Sequence, residues 1–314
     1  MMMGKINHAR HGRGKAMITT FTTREEWLEA RKNGIGSTDA AAILGLNRWR
    51  SPLAVYAEKI GAVEPYEESE AMIWGRRLQR VILDQYSEET KRPLIPWPEN
   101  QIAVSEIFPF ALASLDAEAS EKGKGTLVVE AKTVGAYNLA DWEEEPPLLY
   151  QIQVQHQLLV MGYEWASIAV LIGGNKFFWC DLPRNDDFLG ILAQKEEAFW
   201  QRVETRDPPE VDATESTARA LQMLYPKDQG KIVDLPEVAA IWDKNLQDFK
   251  QAITKLEGQK REVENAIKAS IGEATYGRLP DGSGYCWKHQ HKKAFTIKEQ
   301  DRRVLNRVTK IKEG

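Results

Sequence analysis

Two short segments hold the residue types from which hydrolytic chemistry can be built: Ser114-Leu115-Asp116 and Val129-Glu130-Ala131-Lys132. Asp116 ends an apolar stretch, and Glu130 and Lys132 alternate along a β-like run. Successive strand residues point to opposite faces, so Glu130 and Lys132 share one face while Val129 and Ala131 take the other. Paired as a hairpin, the segments would bring Asp116, Glu130 and Lys132 to one point. Two carboxylates can hold a hard divalent cation such as Mg2+, and an ammonium beside them can orient water or offset the charge of a pentavalent phosphate. That combination suits metal-dependent hydrolysis of a phosphodiester.

The surroundings of these residues bear on the reading. Leu127, Val128 and Val129 are apolar on both faces, as in a central strand. A charge at the end of such a strand must be paired or metal-bound. Glu118 would share the strand face of Asp116 and bring a third carboxylate near. A following helix carries Gln151, Gln153, Gln155 and Gln157, with Gln153 and Gln157 one turn apart on one face. Amides there could contact phosphate oxygens or orient water. A surface Glu130–Lys132 pair and a plainly polar helix face would need no chemistry at all, and both readings stand at this point.

The elements that must position the site follow from periodicity and punctuation. Residues 1–20 are basic and read as disordered. Thr22 or Thr23 caps a helix running to Lys32, with Glu25 and Glu26 in its first turn. A glycine-punctuated turn then opens a short helix, 40–44, which Ser37 and Thr38 could cap. Helices are expected at 52–60, with Pro52 in its first turn, and at 68–90. Antiparallel strands are expected at 110–119 and 127–133, a helix at 148–161 ended by Gly162, and a hairpin around Gly173-Gly174-Asn175. An amphipathic helix covers 186–203. The pattern is mixed α/β, a sheet flanked by helices, over residues 21–209.

After Pro208-Pro209 the character changes, and 210–314 reads as an extension. Leu235, Ala239, Trp242, Leu246, Phe249, Ile253, Leu256, Val263 and Ile267 recur at steps of three and four through 235–271, interrupted by Lys260. This is coiled-coil spacing, although a helix packed on its own domain gives much the same stripe. A small hairpin is expected around Pro280-Asp281-Gly282-Ser283-Gly284, before a basic tail.

Composition excludes several classes. The chain of 314 residues is 42% hydrophobic and 28% charged, ordinary for a globular protein. No apolar run approaches the ~20 residues of a membrane span. Residues 1–15 lack the apolar centre of a secretory signal. Two distant cysteines, Cys180 and Cys286, point to free thiols in a reducing cytoplasm. A net charge of −4 means that contact with DNA must be local, and the basic tail is one candidate for it.

In order and spacing, six blocks resemble the YqaJ-like viral recombinase family, relatives of phage lambda exonuclease within the PD-(D/E)XK nuclease superfamily. They are Gly34-Ile35-Gly36-Ser37-Thr38-Asp39-Ala40-Ala41-Ala42-Ile43-Leu44-Gly45, Trp74-Gly75-Arg76-Arg77-Leu78, Ala113-Ser114-Leu115-Asp116, Val129-Glu130-Ala131-Lys132-Thr133, Gln153-Val154-Gln155-His156-Gln157-Leu158 and Val170-Leu171-Ile172-Gly173-Gly174. The resemblance spans about residues 21–203. It implies a restriction-endonuclease-like core and an Mg2+-dependent exonuclease, with Mn2+ able to substitute. That enzyme would degrade one strand of linear double-stranded DNA from an end, 5′ to 3′, in phage-type recombination by single-strand annealing. It also implies a homo-oligomer, a ring-shaped trimer, together with a single-strand annealing protein as partner and a bacterial host cytoplasm as location.

By the same resemblance Asp116, Glu130 and the Ala131 carbonyl ligate the metal, and Lys132 orients or activates the attacking water. Gln153 sits beside the site, while Arg31, Ser37 and Thr38 hold the terminal phosphate of the DNA. One position departs from the pattern. The family carries a glutamate directly after Leu78, and this chain has Gln79, a neutral amide that could still join the metal site. The alternatives are a DNA-end-binding or assembly protein on the same scaffold with impaired chemistry, and a related endonuclease.

Overall fold

The computed structural model describes residues 16–63, 69–142, 144–291 and 303–308. Two compact units divide the chain after Pro226. The first unit opens with β1 (Ala16–Thr20), α1 (Arg24–Arg31), β2 (Ile35–Gly36), α2 (Ala40–Ile43), α3 (Pro52–Lys59) and α4 (Glu70–Thr90). Next come β3 (Leu94–Pro96), β4 (Gln101–Ser105), β5 (Ala111–Ala113), β6 (Ala117–Glu121) and β7 (Gly125–Val134). It closes with a 3-10 helix (Ala136–Trp142), α5 (Leu148–Met161), β8 (Trp165–Ile172), β9 (Lys176–Pro183), α6 (Asp186–Thr205) and α7 (Glu215–Leu224).

Local chemistry explains most of these boundaries. Thr23 caps α1 in a capping box with Glu26, and Ser51, Ser69 and Asn185 accept the third-residue amides, in the first turns, of α3, α4 and α6. Gly162 takes the left-handed conformation that ends α5. Gly173 and Gly174 both have positive φ, which the tight β8–β9 hairpin requires.

The main sheet has the order β3-β6-β7-β8-β9. β7 lies at its centre, antiparallel to β6 and parallel to β8. A parallel pair cannot be closed by a hairpin, so the chain crosses over through the 3-10 helix and α5. The alternation along β7 then assigns its faces. Leu127 and Val129 pack with Ile82, Leu83 and Tyr86 of α4, while Val128 packs with Val154 and Leu158 of α5. Glu130 and Lys132 therefore point toward α5. The result is a mixed sheet between helices, a restriction-endonuclease-like core in the first unit.

A second sheet, β1-β4-β5-β2, stands beside it. Its edge strand β1 pairs antiparallel with β4 from Ala16↔Ser105 to Thr20↔Gln101. This corrects the expectation of disorder across residues 1–20 for the last five of them, whose Met17, Ile18, Thr19 and Thr20 are β-prone and find a partner strand. Residues 1–15 lie outside the described residues. The expected strand at 110–119 is also corrected: it is two strands in two sheets, broken at Ser114-Leu115-Asp116. Gly34 is fixed by close approach, since a Cβ there would stand 2.6 Å from the Phe110 carbonyl oxygen and from Leu112 Cγ.

The first unit continues past Pro208-Pro209. Ala220 of α7, a helix that the sequence reading missed, packs with Leu53, Tyr56, Phe199 and Val203. In the second unit, α8 (Ala239–Ile271) is a single 33-residue helix, followed by the hairpin β10 (Tyr276–Arg278) and β11 (Gly284–Cys286). Cys180 and Cys286 are free. Among the described residues no helix is long and apolar enough to cross a membrane.

One buried charge pair ties the first unit together. His156 of α5 is fully buried, with Nδ1 2.7 Å from Glu196 Oε1 of α6 and Nε2 2.9 Å from the Leu112 carbonyl of β5. Both ring nitrogens face acceptors, so both carry protons and the ring is an imidazolium. Burial alone would lower its pKa, but Glu196 and the Leu112 carbonyl outweigh that and raise it above the ordinary 6.5. A histidine raised on folding contributes stability that is full below pH 6.5 and is lost as pH rises through the folded value. The thermal midpoint of wild type relative to His156→Gln should therefore be highest near pH 6 and fall as pH is raised to 9. A difference unchanged across that range would contradict the charged pair.

Candidate active site

Where β5 stops and β6 begins, the chain passes from one sheet to the other, and Asp116 lies in that break. Asp116 Oδ2 accepts the Ala131 amide at 2.7 Å, which fixes the carboxylate against the middle of β7. Glu130, the preceding residue of β7, is 4% exposed and heavily bonded. Its Oε1 accepts Lys132 Nζ at 2.6 Å and Gln153 Nε2 at 2.6 Å, and its Oε2 accepts Gln157 Nε2 at 2.7 Å. Lys132 Nζ also donates to Gln153 Oε1 at 2.9 Å. The four-residue spacing of Gln153 and Gln157 places both amides on the Glu130 side of α5. Gln151 and Gln155 have other work: they bond the Pro146 and Pro183 carbonyls.

Asp116, Glu130, Lys132 and Gln153 form the floor of a cleft of about 790 Å3. Its walls include Arg24, Trp27 and Arg31 of α1, Arg76, Gln79 and Arg80 of α4, Ser37, Thr38, Ser114 and the segment Pro96–Ile102. Asp116, Glu130, Lys132, Gln153, Gln79, Arg31, Ser37 and Thr38 thus all line one cavity. Ala131 is not among the lining residues; its amide N–H bonds Asp116 behind them. The Arg31 guanidinium sits 4.7 Å from the centre of the Trp27 ring, and Arg24 lies 5.7 Å from it. Sequence reasoning missed Arg24, Trp27, Arg76 and Arg80. Their helical spacing was the available signal, since 24, 27 and 31 share one face of α1, and 76, 79, 80 and 83 one face of α4.

Two expectations around the site need correction. Glu118 is not a third carboxylate in the cleft, because its β6 register turns it to Tyr163, whose hydroxyl donates to it. Ser37 and Thr38 do not cap α2. The residue at that cap is Asp39, and its carboxylate makes no capping bond to α2. It instead accepts the Gly36 amide at 2.9 Å and pairs with Lys59 at 2.8 Å and with Arg50. Burial would raise Asp39, but Lys59, Arg50 and Arg31 hold its carboxyl far below the usual carboxylate range. α2 is a single turn with an anion at its start, so helix-dipole binding of phosphate loses its basis there. Asp84, on another face of α4, is paired with Arg80 at 2.9 Å.

Electrostatics single out the two acids. Burial raises the Asp116 pKa and the nearby Glu130 raises it further, against smaller opposition from Lys132 and the Ala131 amide. Burial would lower Lys132, yet Glu130 and Asp116 outweigh it and keep the side chain an ammonium. An Asp116 carboxyl pushed up by burial and by the neighbouring Glu130 is what a divalent cation beside the two acids would relieve. Among the described residues no group of three His, Cys, Asp or Glu side chains comes together. A hard cation such as Mg2+ asks only one or two carboxylates of a protein, with water and phosphate oxygens completing its shell. Asp116 and Glu130 meet that requirement.

A carboxyl raised on folding costs stability as pH rises above its ordinary 3.8, most above the folded value. Without divalent cation, Asp116→Asn should be more stable than wild type, by about 1.4 kcal/mol or more at pH 9 and by less at pH 5. Chemical denaturation in EDTA at the two pH values measures this. A variant less stable at both would overturn the repulsion between the acids.

Residues 26–164 match the family model described as the YqaJ-like viral recombinase domain. The chain is 34% identical over 282 residues to the Bacillus subtilis (strain 168) protein YqaJ, itself described as uncharacterized, across 85% of this chain and 83% of that one. Among solved structures it is similar to an alkaline exonuclease (LHK-Exo) from Laribacter hongkongensis, at a TM-score of 0.49 and 17% identity. That match covers 58% of this chain and 94% of the other. A phage-related exonuclease from Haemophilus somnus 129PT gives a TM-score of 0.45 at 9% identity, over 55% of this chain and 94% of that one. The identity to YqaJ extends over most of both chains, and on that ground the protein belongs to the YqaJ-like viral recombinase family.

Proposed function

We propose that this protein is an Mg2+-dependent exonuclease that degrades one strand of linear duplex DNA from an end. The observation that carries the reading is the cluster of Asp116, Glu130, Lys132 and Gln153 on the floor of an arginine-walled cleft. Membership of a viral recombinase family supports DNA as the substrate. The 5′-to-3′ direction, a ring-shaped trimer and a single-strand annealing partner rest on the sequence resemblance alone.

Each residue has a definable task. Mg2+, or Mn2+ in its place, held by Asp116 and Glu130 with the Ala131 carbonyl, would polarise the scissile phosphate and lower the pKa of water. Gln153 and Gln157 hold Glu130 in one rotamer, which keeps its oxygens aimed. The ammonium of Lys132, held by Glu130 and Gln153, orients water and offsets negative charge as the phosphate is attacked. Arg24, Arg76 and Arg80 draw in the phosphate backbone. Arg31, Ser37 and Thr38 would seat a terminal phosphate, the guanidinium supplying a planar fork and the hydroxyls two further donors. Seating an end phosphate would make cleavage start from an end.

With linear and closed circular duplexes, in Mg2+ or EDTA, wild type should release nucleotides from linear DNA in Mg2+ only. Lys132→Ala should keep duplex binding and lose hydrolysis by a factor of at least about 100. An unchanged rate of nucleotide release would remove Lys132 from the chemistry, and cutting of circles would favour the endonuclease.

Gln79 favours a second reading, a DNA-end-binding protein with impaired chemistry. The cleft wall of α4 offers an amide where the family pattern has a carboxylate. In a Mg2+ titration of cleavage, wild type should be active and Gln79→Glu should need less cation. Wild type inactive at every concentration, with the variant active, would establish the impaired reading.

A further inference from the structure

The long helix of the second unit carries an apolar seam that no described residue of that unit covers. Phe249, Leu256 and Val263 are 63%, 62% and 60% exposed, and Trp242 and Ile253 are more than half exposed. The β10–β11 hairpin reaches only the far end, where Gly277 meets Ile271. Tail residues Val304, Leu305 and Val308 are themselves exposed, although Arg307 bonds Asp243 at 2.8 and 3.0 Å. A helix in water draws most of its stability from packing of its apolar face, and this one runs 33 residues without that packing. Its core positions alternate by three and four through more than four heptads, long enough for a two-stranded coiled coil.

We infer that the seam of α8 pairs with the same seam of a second copy of this chain, antiparallel. Two features fix the occupant and its direction. The first is Lys260, the one charge in the seam. In a parallel pair it would stand opposite itself, two buried ammonium groups in contact. In the antiparallel register that sets Ile253 against Leu256 of the second copy, and Leu246 against Val263, Lys260 meets Phe249 and lies over an aromatic ring. The second is the pattern of flanking charge. One flank of the seam, Asn245, Ala252, Gln259 and Ala266, is uncharged, and the other carries Asp243, Lys250, Glu257 and Glu264. A parallel pair sets the charged flank against the uncharged one and gains no ion pair. The antiparallel pair sets charged flank against charged flank, with Lys250 meeting Glu257 twice. It also brings Asp243 toward Glu264, a repulsion that the Arg307 guanidinium already seated on Asp243 would cancel.

The test uses the full chain with its native cysteines and identifies disulfides by mass spectrometry of digests. A mixture of Leu246→Cys and Val263→Cys proteins should form an interchain 246–263 link, and neither variant alone should link to itself, because identical positions lie about 25 Å apart in the antiparallel pair. By sedimentation, Lys250→Glu should raise the dissociation constant of the pair roughly tenfold, and adding Glu257→Lys should restore it. Self-linking by each single variant would make the pair parallel and overturn the inference. So would a chain that sediments as a monomer, or an assembly that lacks the 246–263 link.

Discussion

Glu130 is a nearly buried carboxylate whose two oxygens receive donors from three side chains, Lys132, Gln153 and Gln157. Ionised carboxylates are tolerated inside proteins only when so satisfied. The requirement reaches outward from that one group. β7 must be central so that Glu130 is enclosed, and α5 must cross over the sheet so that two amides can reach it. Both residues of the four-residue pair must then face inward. The crossover that a parallel β7–β8 pair demands is thus the element that supplies the donors.

α5 is buried for ten of its fourteen residues, including three glutamines and a histidine, an unusual load of polar groups for an interior helix. Each has an assignment. Gln153 and Gln157 serve Glu130, and Gln155 bonds the Pro183 carbonyl and the Asn185 amide at the start of α6. His156 joins β5 to α6. A leucine at any of these positions would pack in the same volume but leave acceptors unpaired at about 1–3 kcal/mol each. The polar face therefore fixes one docking of α5 on the sheet, and with it the distance from Gln153 to Lys132. Residual cost is visible: Gln157 Oε1 and Glu196 Oε2 have no bonded partner.

Much of this was legible in the residues. The limits of α5 and the Gly173-Gly174 hairpin follow from glycines that the backbone needs at positive φ. The central place of β7 follows from three consecutive apolar residues, and the meeting of Glu130 with Lys132 follows from strand alternation. What escaped the reading was non-local. Nothing in 110–119 marks the point where the chain leaves one sheet for another, because both halves are β-prone and only the partner strands differ. β1 was hidden for the same reason, as five residues beside a basic segment become a strand only by pairing with β4. Asp39 looked like any carboxylate in a turn until Lys59 and Arg50, eleven or more residues away in sequence, closed around it.

The break at Asp116 has a consequence for how the site holds charge. Had 110–119 been one strand, Asp116 would have paired in register along β7 and lain beside Glu118. The chain instead changes sheets there, and Asp116 turns to the Ala131 amide, one residue beyond Glu130. Glu118 stays in β6 and is taken up by Tyr163. The two remaining acids are brought close by backbone geometry against their own repulsion, with stability sacrificed at the point where a cation can repay it. The sheet change, a defect in a continuous strand, is what makes that pairing possible.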